Sequence, residues 1–136
     1  MVCIYCGSGT SVVNSRVQKL SNGVWRRRKC QRCNAIFTSI EKPYYPTSIV
    51  ISSNRSTVLP FLPEKLFLSV YECLKHRQNP IEDAKHICDT ITRKMISSSV
   101  DDNEIKNTEL RNLVNVTLNR FDRTAAIHYQ AFHTNK

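Results

Sequence analysis

The sequence predicts an α+β protein: a small antiparallel β zinc ribbon, followed by a mostly α-helical domain with an entrance β-hairpin. Three observations predict this fold class. Two Cys-x-x-Cys pairs lie within the first 33 residues, Pro43 and Pro46 fall within four residues of each other, and apolar residues later recur at helical spacing. Closely spaced prolines favour a short, stiff linker, so we predict two domains, at residues 1–42 and 47–133.

The two cysteine pairs, Cys3-Ile4-Tyr5-Cys6 and Cys30-Gln31-Arg32-Cys33, are separated by 23 residues. Each pair is typical of a tight turn that directs two sulfurs toward one point, and two such turns complete a tetrahedral four-sulfur site. Thiolates select zinc or iron over harder cations. We predict one zinc ion per chain, with iron or disulfide bonds as the alternatives. Since four protein ligands saturate zinc, the predicted site is structural.

The segment between the cysteine pairs has the pattern of a hairpin. Residues Ser11–Val17 alternate weakly, Asn22-Gly23 favours a tight turn, and Val24–Arg28 is predicted to be the returning strand. So short a segment, which holds all three glycines of the chain, buries little apolar surface. We therefore expect the ribbon to fold only with its metal.

Positive charge is concentrated in the predicted ribbon. Of the formal net charge of +9, residues 1–42 contribute eight Lys or Arg and one acid, Glu41, which gives +7, and the rest of the chain contributes +2. Charge of this density beside metal ligands indicates a polyanionic partner, and we predict double-stranded DNA. A solvated basic surface is the alternative interpretation.

Strand alternation places Arg26 and Arg28 on one face of their strand, with Trp25, Arg27 and Lys29 on the other. The guanidinium group is suited to gripping phosphates and to reading guanine edges. Arg16, on the preceding strand, is predicted to join the arginines of this strand. The predicted DNA contacts are Arg16, Arg26, Arg27 and Arg28.

After the linker, Thr47–Ile51 and Thr57–Leu59 predict a hairpin, and helical periodicity follows. Asn79-Pro80 is a favourable helix start, Asn107 or Thr108 is predicted to cap a third helix, and Arg123–Phe132 is predicted to be a fourth. The predicted core faces are Leu66, Val70, Cys73 and Leu74; Ala84, Ile87, Cys88, Ile91 and Met95; and Leu110, Leu113, Val114, Leu118 and Phe121. On these faces Cys73 and Cys88 act as small apolar residues.

Several classes of protein are not expected. No apolar run approaches the roughly 20 residues of a membrane-spanning helix. A cleaved signal peptide is not expected either, because cleavage would remove Cys3 and Cys6. We therefore place the chain in the cytosol, where paired thiols more often bind metal than form disulfides. With no open metal position, acid pair or activated nucleophile in the pattern, we do not expect an enzyme.

The chain resembles the bacterial NrdR family, repressors of ribonucleotide reductase genes, through nearly its whole length. The ribbon segments that carry the resemblance are Met1–Cys6, Val13-Asn14-Ser15-Arg16, Trp25–Cys33 and Ile36–Glu41. In the second domain, Phe61–Leu66 resembles the start of the family's ATP-cone, and Asn107–Val114 and Asp122–Phe132 resemble its last two helices.

This resemblance implies a cytoplasmic, nucleoid-associated repressor whose cone binds ATP or dATP. It also implies a homo-oligomer whose ribbons read paired operator sites. The implied nucleotide contacts are Lys65 and the Ile49–Arg55 hairpin, in which we single out Val50 and Arg55.

Two segments depart from the family pattern. Ser53-Asn54-Arg55-Ser56 stands where the family has Lys-Arg-Asp-Gly, and Ala125–Tyr129 lacks the family's tyrosine and arginine. Because both departures remove cations, we predict that ATP and dATP bind weakly or not at all. An alternative interpretation is a degenerate paralogue that acts as a protein-interaction module without sequence-specific DNA binding.

Overall fold

A computed structural model describes residues 1–53, 57–98 and 103–133 and divides the chain into two compact units, Met1–Pro43 and Tyr44–Lys136. The first unit contains three strands, and the second contains three short strands and four helices. In chain order they are β1 (Thr10–Gln18), β2 (Gly23–Cys30), β3 (Ile36–Glu41), a 3-10 turn (Tyr45–Thr47), β4 (Val50–Ser52), β5 (Val58–Pro60), α1 (Pro63–Leu74), α2 (Pro80–Ser98), β6 (Glu104–Lys106), α3 (Asn107–Phe121) and α4 (Arg123–His133). The predicted fold class is confirmed.

The first unit is an antiparallel sheet in the order β1-β2-β3, and β3 was not predicted. The tight turn predicted at Asn22-Gly23 is wrong, because a four-residue loop, residues 19–22, joins β1 to β2. Asn22 adopts a positive φ of 47°, whereas Gly23 already belongs to β2. A Cβ atom on Gly23 would lie 2.9 Å from the carbonyl oxygen of Glu41, so glycine is needed for close strand approach.

The first unit has very little apolar core. Its buried cluster consists of Cys3, Cys30 and Phe37, with Ala35 packed against it. Along β1 every residue after Thr10 is exposed. Two of the three buried residues are therefore metal-ligand candidates, and the sheet has almost no other interior.

The second unit begins with a three-stranded sheet in the order β5-β4-β6. β4 pairs antiparallel with β5 and parallel with β6. The hairpin strands lie later than predicted, since Tyr45–Thr47 forms a 3-10 turn around Pro46, whose ring fixes φ. β6 was not predicted because Ile105 is its only apolar residue, which is too short a pattern to identify a strand.

The four helices bury one continuous core. Most of the residues predicted from periodicity are buried, while Cys88, Leu110 and Leu113 are partly buried against the same cluster. Phe121 was predicted to be buried but is 43% exposed, and the guanidinium of Arg77 lies 4.6 Å from its ring centroid. The buried residues of this core are Tyr45, Ile49, Phe61, Leu66, Val70, Cys73, Leu74, Ala84, Ile87, Ile91, Met95, Ile105, Val114, Leu118, Ala125, Ala126 and Tyr129.

Asp122, which lies between α3 and α4, caps the N-terminus of α4. Its Oδ1 accepts a hydrogen bond from the Ala125 N–H at 3.1 Å, and its Oδ2 lies 2.9 Å from His76 and 3.1 Å from Arg77. The cap predicted for α3 is wrong, because Lys106 occupies that position and makes no side-chain cap hydrogen bond. Over the described ranges no helix has the length and apolar character needed to cross a membrane.

Candidate functional site

The two cysteine pairs form the same backbone turn twice. The Cys3 N–H donates to the carbonyl of Ser8 at 2.8 Å, and the Cys30 N–H donates to the carbonyl of Ala35 at 2.9 Å. In each turn the donor precedes the acceptor by five residues. The repeated hydrogen bond brings both Cys-x-x-Cys segments to a common shape.

The residue after the second cysteine of each pair has a left-handed backbone. Gly7 follows Cys6 with φ of 70°, and Asn34 follows Cys33 with φ of 57°. Glycine has no Cβ to clash in this region, and asparagine tolerates it better than most residues. The sequence therefore supplies a suitable residue at both turns.

The four sulfurs converge on one point. Sγ of Cys3 lies 3.7 Å from Sγ of Cys33, Sγ of Cys6 lies 3.5 Å from Sγ of Cys30, and all four lie within 4.8 Å of one another. Zinc with bonds of about 2.3 Å in tetrahedral geometry requires sulfurs about 3.8 Å apart. The geometry thus fits one four-coordinate zinc ion, whose function would be to hold the two turns together.

Hydrogen bonds and crowding act on the thiols in opposite directions. The backbone N–H of Ser8 lowers the pKa of Cys6 to about 6, and the N–H of Cys33 lowers the pKa of Cys30. The Ala35 N–H alone would lower the pKa of Cys33, but the neighbouring Cys30 sulfur and burial outweigh it and raise that pKa to about 12. Four adjacent sulfurs cannot all ionise without a compensating cation, and zinc supplies that positive charge.

The two remaining cysteines belong to the helical core, as predicted. Cys73 is buried on α1, and Cys88 is partly buried on α2. Burial raises the pKa of both thiols, that of Cys88 to about 12. Neither is therefore activated as a nucleophile.

The strand register divides the ribbon's side chains between two faces. We call one the Arg26 face; its members are Thr10, Val12, Ser15, Val17, Val24, Arg26, Arg28, Cys30, Phe37, Ser39 and Glu41. We call the other the Arg27 face; its members are Ser11, Asn14, Arg16, Trp25, Arg27, Lys29, Ile36, Thr38 and Ile40. The predicted set of DNA-contacting arginines is therefore split between opposite sides of the sheet.

The arginines of the Arg26 face have protein partners. Arg26 forms an ion pair with Glu41, with Nη2 3.0 Å from Oε2, and its Nε donates to the same oxygen at 3.1 Å. Nε of Arg28 donates to Oγ of Ser39 at 2.8 Å. Both guanidinium groups are partly buried and held against β3.

The cations of the Arg27 face, Arg16, Arg27 and Lys29, are exposed, and none has an ion pair within the described part of the ribbon. Arg16, which was predicted to join the arginines of β2, lies on the same face as Arg27, because it lies across from Trp25. A β-bulge between Val12 and Asn14 sets this position. Continuing the register of the metal end, Thr10↔Cys30, would have placed Arg16 across from Val24 on the opposite face.

In the second unit, Lys65 lines a cavity of about 300 Å³ between the sheet and helices α1, α3 and α4. Val50 is partly buried in β4 and is not among the residues that line this cavity. Arg55, the third predicted nucleotide contact, lies outside the described residues. Arg111, which was not predicted as a site residue, lines the same cavity. Because Arg111 lies 46 positions after Lys65, no local pattern joins the two cations.

The described lining of this cavity combines apolar side chains with hydroxyl, amide, imidazole and cationic groups and contains no carboxylate. Oγ of Ser69 is hydrogen-bonded to Nε2 of His133 at 2.8 Å. Burial lowers the pKa of His133, so its imidazole is neutral at pH 7, and burial raises the pKa of Tyr129 to about 12. Among the described lining residues, the cationic groups at neutral pH are therefore Lys65 and Arg111, a combination suited to an anion with an apolar portion.

Comparison with known proteins identifies relatives of both units together. Residues 1–41 match the family model described as "Transcriptional repressor NrdR-like, N-terminal domain". The protein named transcriptional repressor NrdR of Caldanaerobacter subterraneus subsp. tengcongensis is 30% identical over 135 residues, which cover 98% of this chain and 83% of that protein.

Other relatives with the same name are equally similar. The protein from Rhodospirillum centenum is 30% identical over 134 residues, covering 98% of this chain and 85% of its own length. The protein from Hyphomonas neptunium is 31% identical over 134 residues, covering 98% and 82%. With relatives at 30–31% identity across almost the entire chain and a family model on the ribbon, the chain belongs to the NrdR family of transcriptional repressors.

Proposed function

We propose that this protein is a DNA-binding repressor of ribonucleotide reductase genes. Its family supports DNA-binding repression. The observation that carries the proposal is the basic charge of the metal-binding ribbon, which is +7 when the metal and its thiolate ligands are not counted. A basic surface on a metal-fixed support suits a polyanion. Residues 1–42 are the DNA-binding domain and residues 47–133 the regulatory domain, and the protein acts in the cytoplasm as a homo-oligomer.

Within the ribbon, we propose that the residues that contact DNA are found among Arg16, Arg26, Arg27 and Arg28. If these arginines displace counterions from phosphates, affinity falls steeply with salt, with a slope of about 0.9 per phosphate in a double-logarithmic plot. Selection of genomic fragments by the purified protein tests the target. Enrichment of upstream regions of ribonucleotide reductase genes supports the proposal, and enrichment of other promoters contradicts the assignment of those genes.

We further propose that ATP or dATP binds in the cavity lined by Lys65 and Arg111, and that the bound nucleotide changes the oligomeric state. Two cations and an apolar wall complement a triphosphate and a base. Ser53, which lines the cavity, stands where the family pattern has a lysine, so affinity is expected to be low. One missing charge-assisted hydrogen bond weakens binding by about 10- to 100-fold.

Calorimetric titration with each nucleotide, together with light scattering for oligomer size, tests this control. Lys65→Ala and Arg111→Ala are expected to weaken binding further, by about 10- to 100-fold each. Lys85→Ala is the matched control, because Lys85 is exposed on α2 and pairs with Glu82 at 2.8 Å. Equal effects of Lys65→Ala and Lys85→Ala would contradict the assignment of the cavity.

A further inference from the structure

We propose that duplex DNA lies against the Arg27 face of the ribbon, and that Arg26 and Arg28 support the sheet from the opposite side. The proposal rests on the DNA-binding function proposed above and specifies which surface performs it. It assigns DNA contact to Arg16, Arg27 and Lys29, and removes two arginines from the contact set.

The two faces of the ribbon differ in charge. The Arg27 face carries Arg16, Arg27 and Lys29 and, among its described residues, no acid. The Arg26 face carries two arginines and Glu41. A carboxylate on a contact surface repels phosphates, so only the Arg27 face presents uninterrupted positive charge to a duplex.

The guanidinium groups of the two faces differ in their availability to DNA. A phosphate that contacts Arg26 must compete with Glu41 at 3.0 Å, and the Nε donor of Arg28 is already bonded to Ser39, which leaves fewer donors of Arg28 for a phosphate. Arg16 and Arg27 are exposed and have no such partner in the described ribbon. Their donors are therefore free to form bidentate contacts with phosphate or guanine.

The two faces also differ in accessibility at the metal end of the sheet. Cys30 and Phe37 of the Arg26 side are buried in a cluster with Cys3, which shows that the first cysteine turn packs over that side. On the Arg27 side, Ile36 remains 48% exposed and Ile40 57% exposed. A duplex can therefore approach the Arg27 face along the whole length of β2.

The cations of the Arg27 face lie close to one another. Arg27 and Lys29 are two residues apart on the central strand, about 6.6 Å along it. Arg16 pairs with Trp25, which makes it a diagonal neighbour of Arg27, at about 7–8 Å. The residues directly across from Arg27, Asn14 and Thr38, are short and polar, so its longer side chain projects beyond them.

Neighbouring arginines on β2 provide a matched test, since Arg26→Ala and Arg27→Ala remove the same charge from opposite faces. We expect Arg27→Ala to weaken binding to a mixed-sequence duplex of about three helical turns by about 5- to 150-fold and to lower the salt slope by about one. Arg26→Ala is expected to weaken it by less than about threefold, because a sheet about 10 Å thick separates that charge from DNA by about one Debye length. An equal or larger effect of Arg26→Ala would overturn the proposal.

A gain of charge gives a second test that misfolding cannot imitate. Thr38 lies across from Arg27 and Ser15 lies across from Arg26, and both are exposed on the outer strands. Thr38→Lys is expected to tighten binding severalfold and to raise the salt slope by about one, whereas Ser15→Lys is expected to leave the slope unchanged. A larger gain from Ser15→Lys would contradict the proposal.

All variants are compared as full-length, zinc-loaded proteins whose zinc content equals that of the wild type. The single tryptophan, Trp25, lies on the Arg27 face, so its fluorescence is expected to change when duplex is added. Wild-type protein that fails to bind duplex with salt-dependent affinity would refute the DNA-binding function itself. Wild-type protein that binds with unchanged Trp25 fluorescence, or Arg27→Ala protein that alters oligomer size but not DNA affinity, would refute only the choice of face.

Discussion

Removal of the metal is predicted to unfold the ribbon while the helical unit stays folded. The ribbon's buried cluster is limited to Cys3, Cys30 and Phe37. Burial of the Phe37 side chain contributes about 1.5–3 kcal/mol. Structural zinc contributes an apparent 10–16 kcal/mol in small zinc domains. The free energy of zinc binding is several times that of burying Phe37, so apolar burial in the ribbon is too small to replace the metal.

The measurement uses full-length protein titrated with a chelator. Elemental analysis is expected to give one zinc per chain before treatment. On chelation, we expect the fluorescence of Trp25 to shift to that of exposed tryptophan and DNA binding to be lost. The far-ultraviolet circular dichroism of the helices is expected to persist, since their core includes fully buried residues such as Ile91 and Leu118 and needs no metal.

Two substitutions separate the ligands from the other cysteines. Cys3→Ser is expected to reproduce the effect of chelation, because three sulfurs cannot close the site. Cys73→Ala serves as the control and should keep one zinc, since Cys73 belongs to the helical core. The reasoning is refuted if chelated protein keeps the native Trp25 spectrum, or if Cys3→Ser protein keeps both its zinc and its ribbon structure.

Three further predictions concern stability. Gly23→Ala should destabilise the ribbon by about 1–3 kcal/mol, because the added Cβ would lie 2.9 Å from a backbone carbonyl of β3. Proteolysis of the ribbon measures this loss of stability, and unchanged resistance to the protease would contradict the prediction. Leu118→Ala should destabilise the helical unit by about 2–5 kcal/mol in urea unfolding, since Leu118 is fully buried. A smaller loss would mean that the core collapses into the space left by the removed side chain. Asp122→Ala should cost about 0.5–2 kcal/mol as a lost helix cap. Because the Ala125 N–H lowers the pKa of Asp122 from 3.8 to about 2, the wild-type advantage is complete above pH 3.8 and disappears as pH falls through 2, and an advantage independent of pH in this range would argue against it.

Much of the metal centre could be predicted from sequence because its geometry is local. A Cys-x-x-Cys segment needs only one turn to direct two sulfurs to one point, and Gly7 and Asn34 supply the left-handed residues that complete the turns. The helices were predictable for a similar reason, since the 3.6-residue period reports directly which side of a helix is buried. Phe121 marks the limit of that argument, because a periodic position at a helix end can remain exposed.

Strand partners were not predictable in the same way. β6 has three residues, one of them apolar, and it forms only because β4 offers an edge for pairing. The hairpin loop between β1 and β2 is longer than the Asn-Gly pair indicated, since close contact between Gly23 and β3 fixes the glycine inside a strand. These features depend on residues distant in sequence.

The sequence by itself determined the four metal ligands, the four helices and the concentration of positive charge in the ribbon, because each follows from local spacing or composition. Only the tertiary structure decided which face each arginine occupies. One extra residue at the bulge between Val12 and Asn14 reverses the side on which Arg16 projects, and the pairing of β2 with β3 brings Glu41 to Arg26. Lys65 and Arg111 likewise meet at one cavity only through helix packing, since residues 46 positions apart have no local relation that a pattern could reveal.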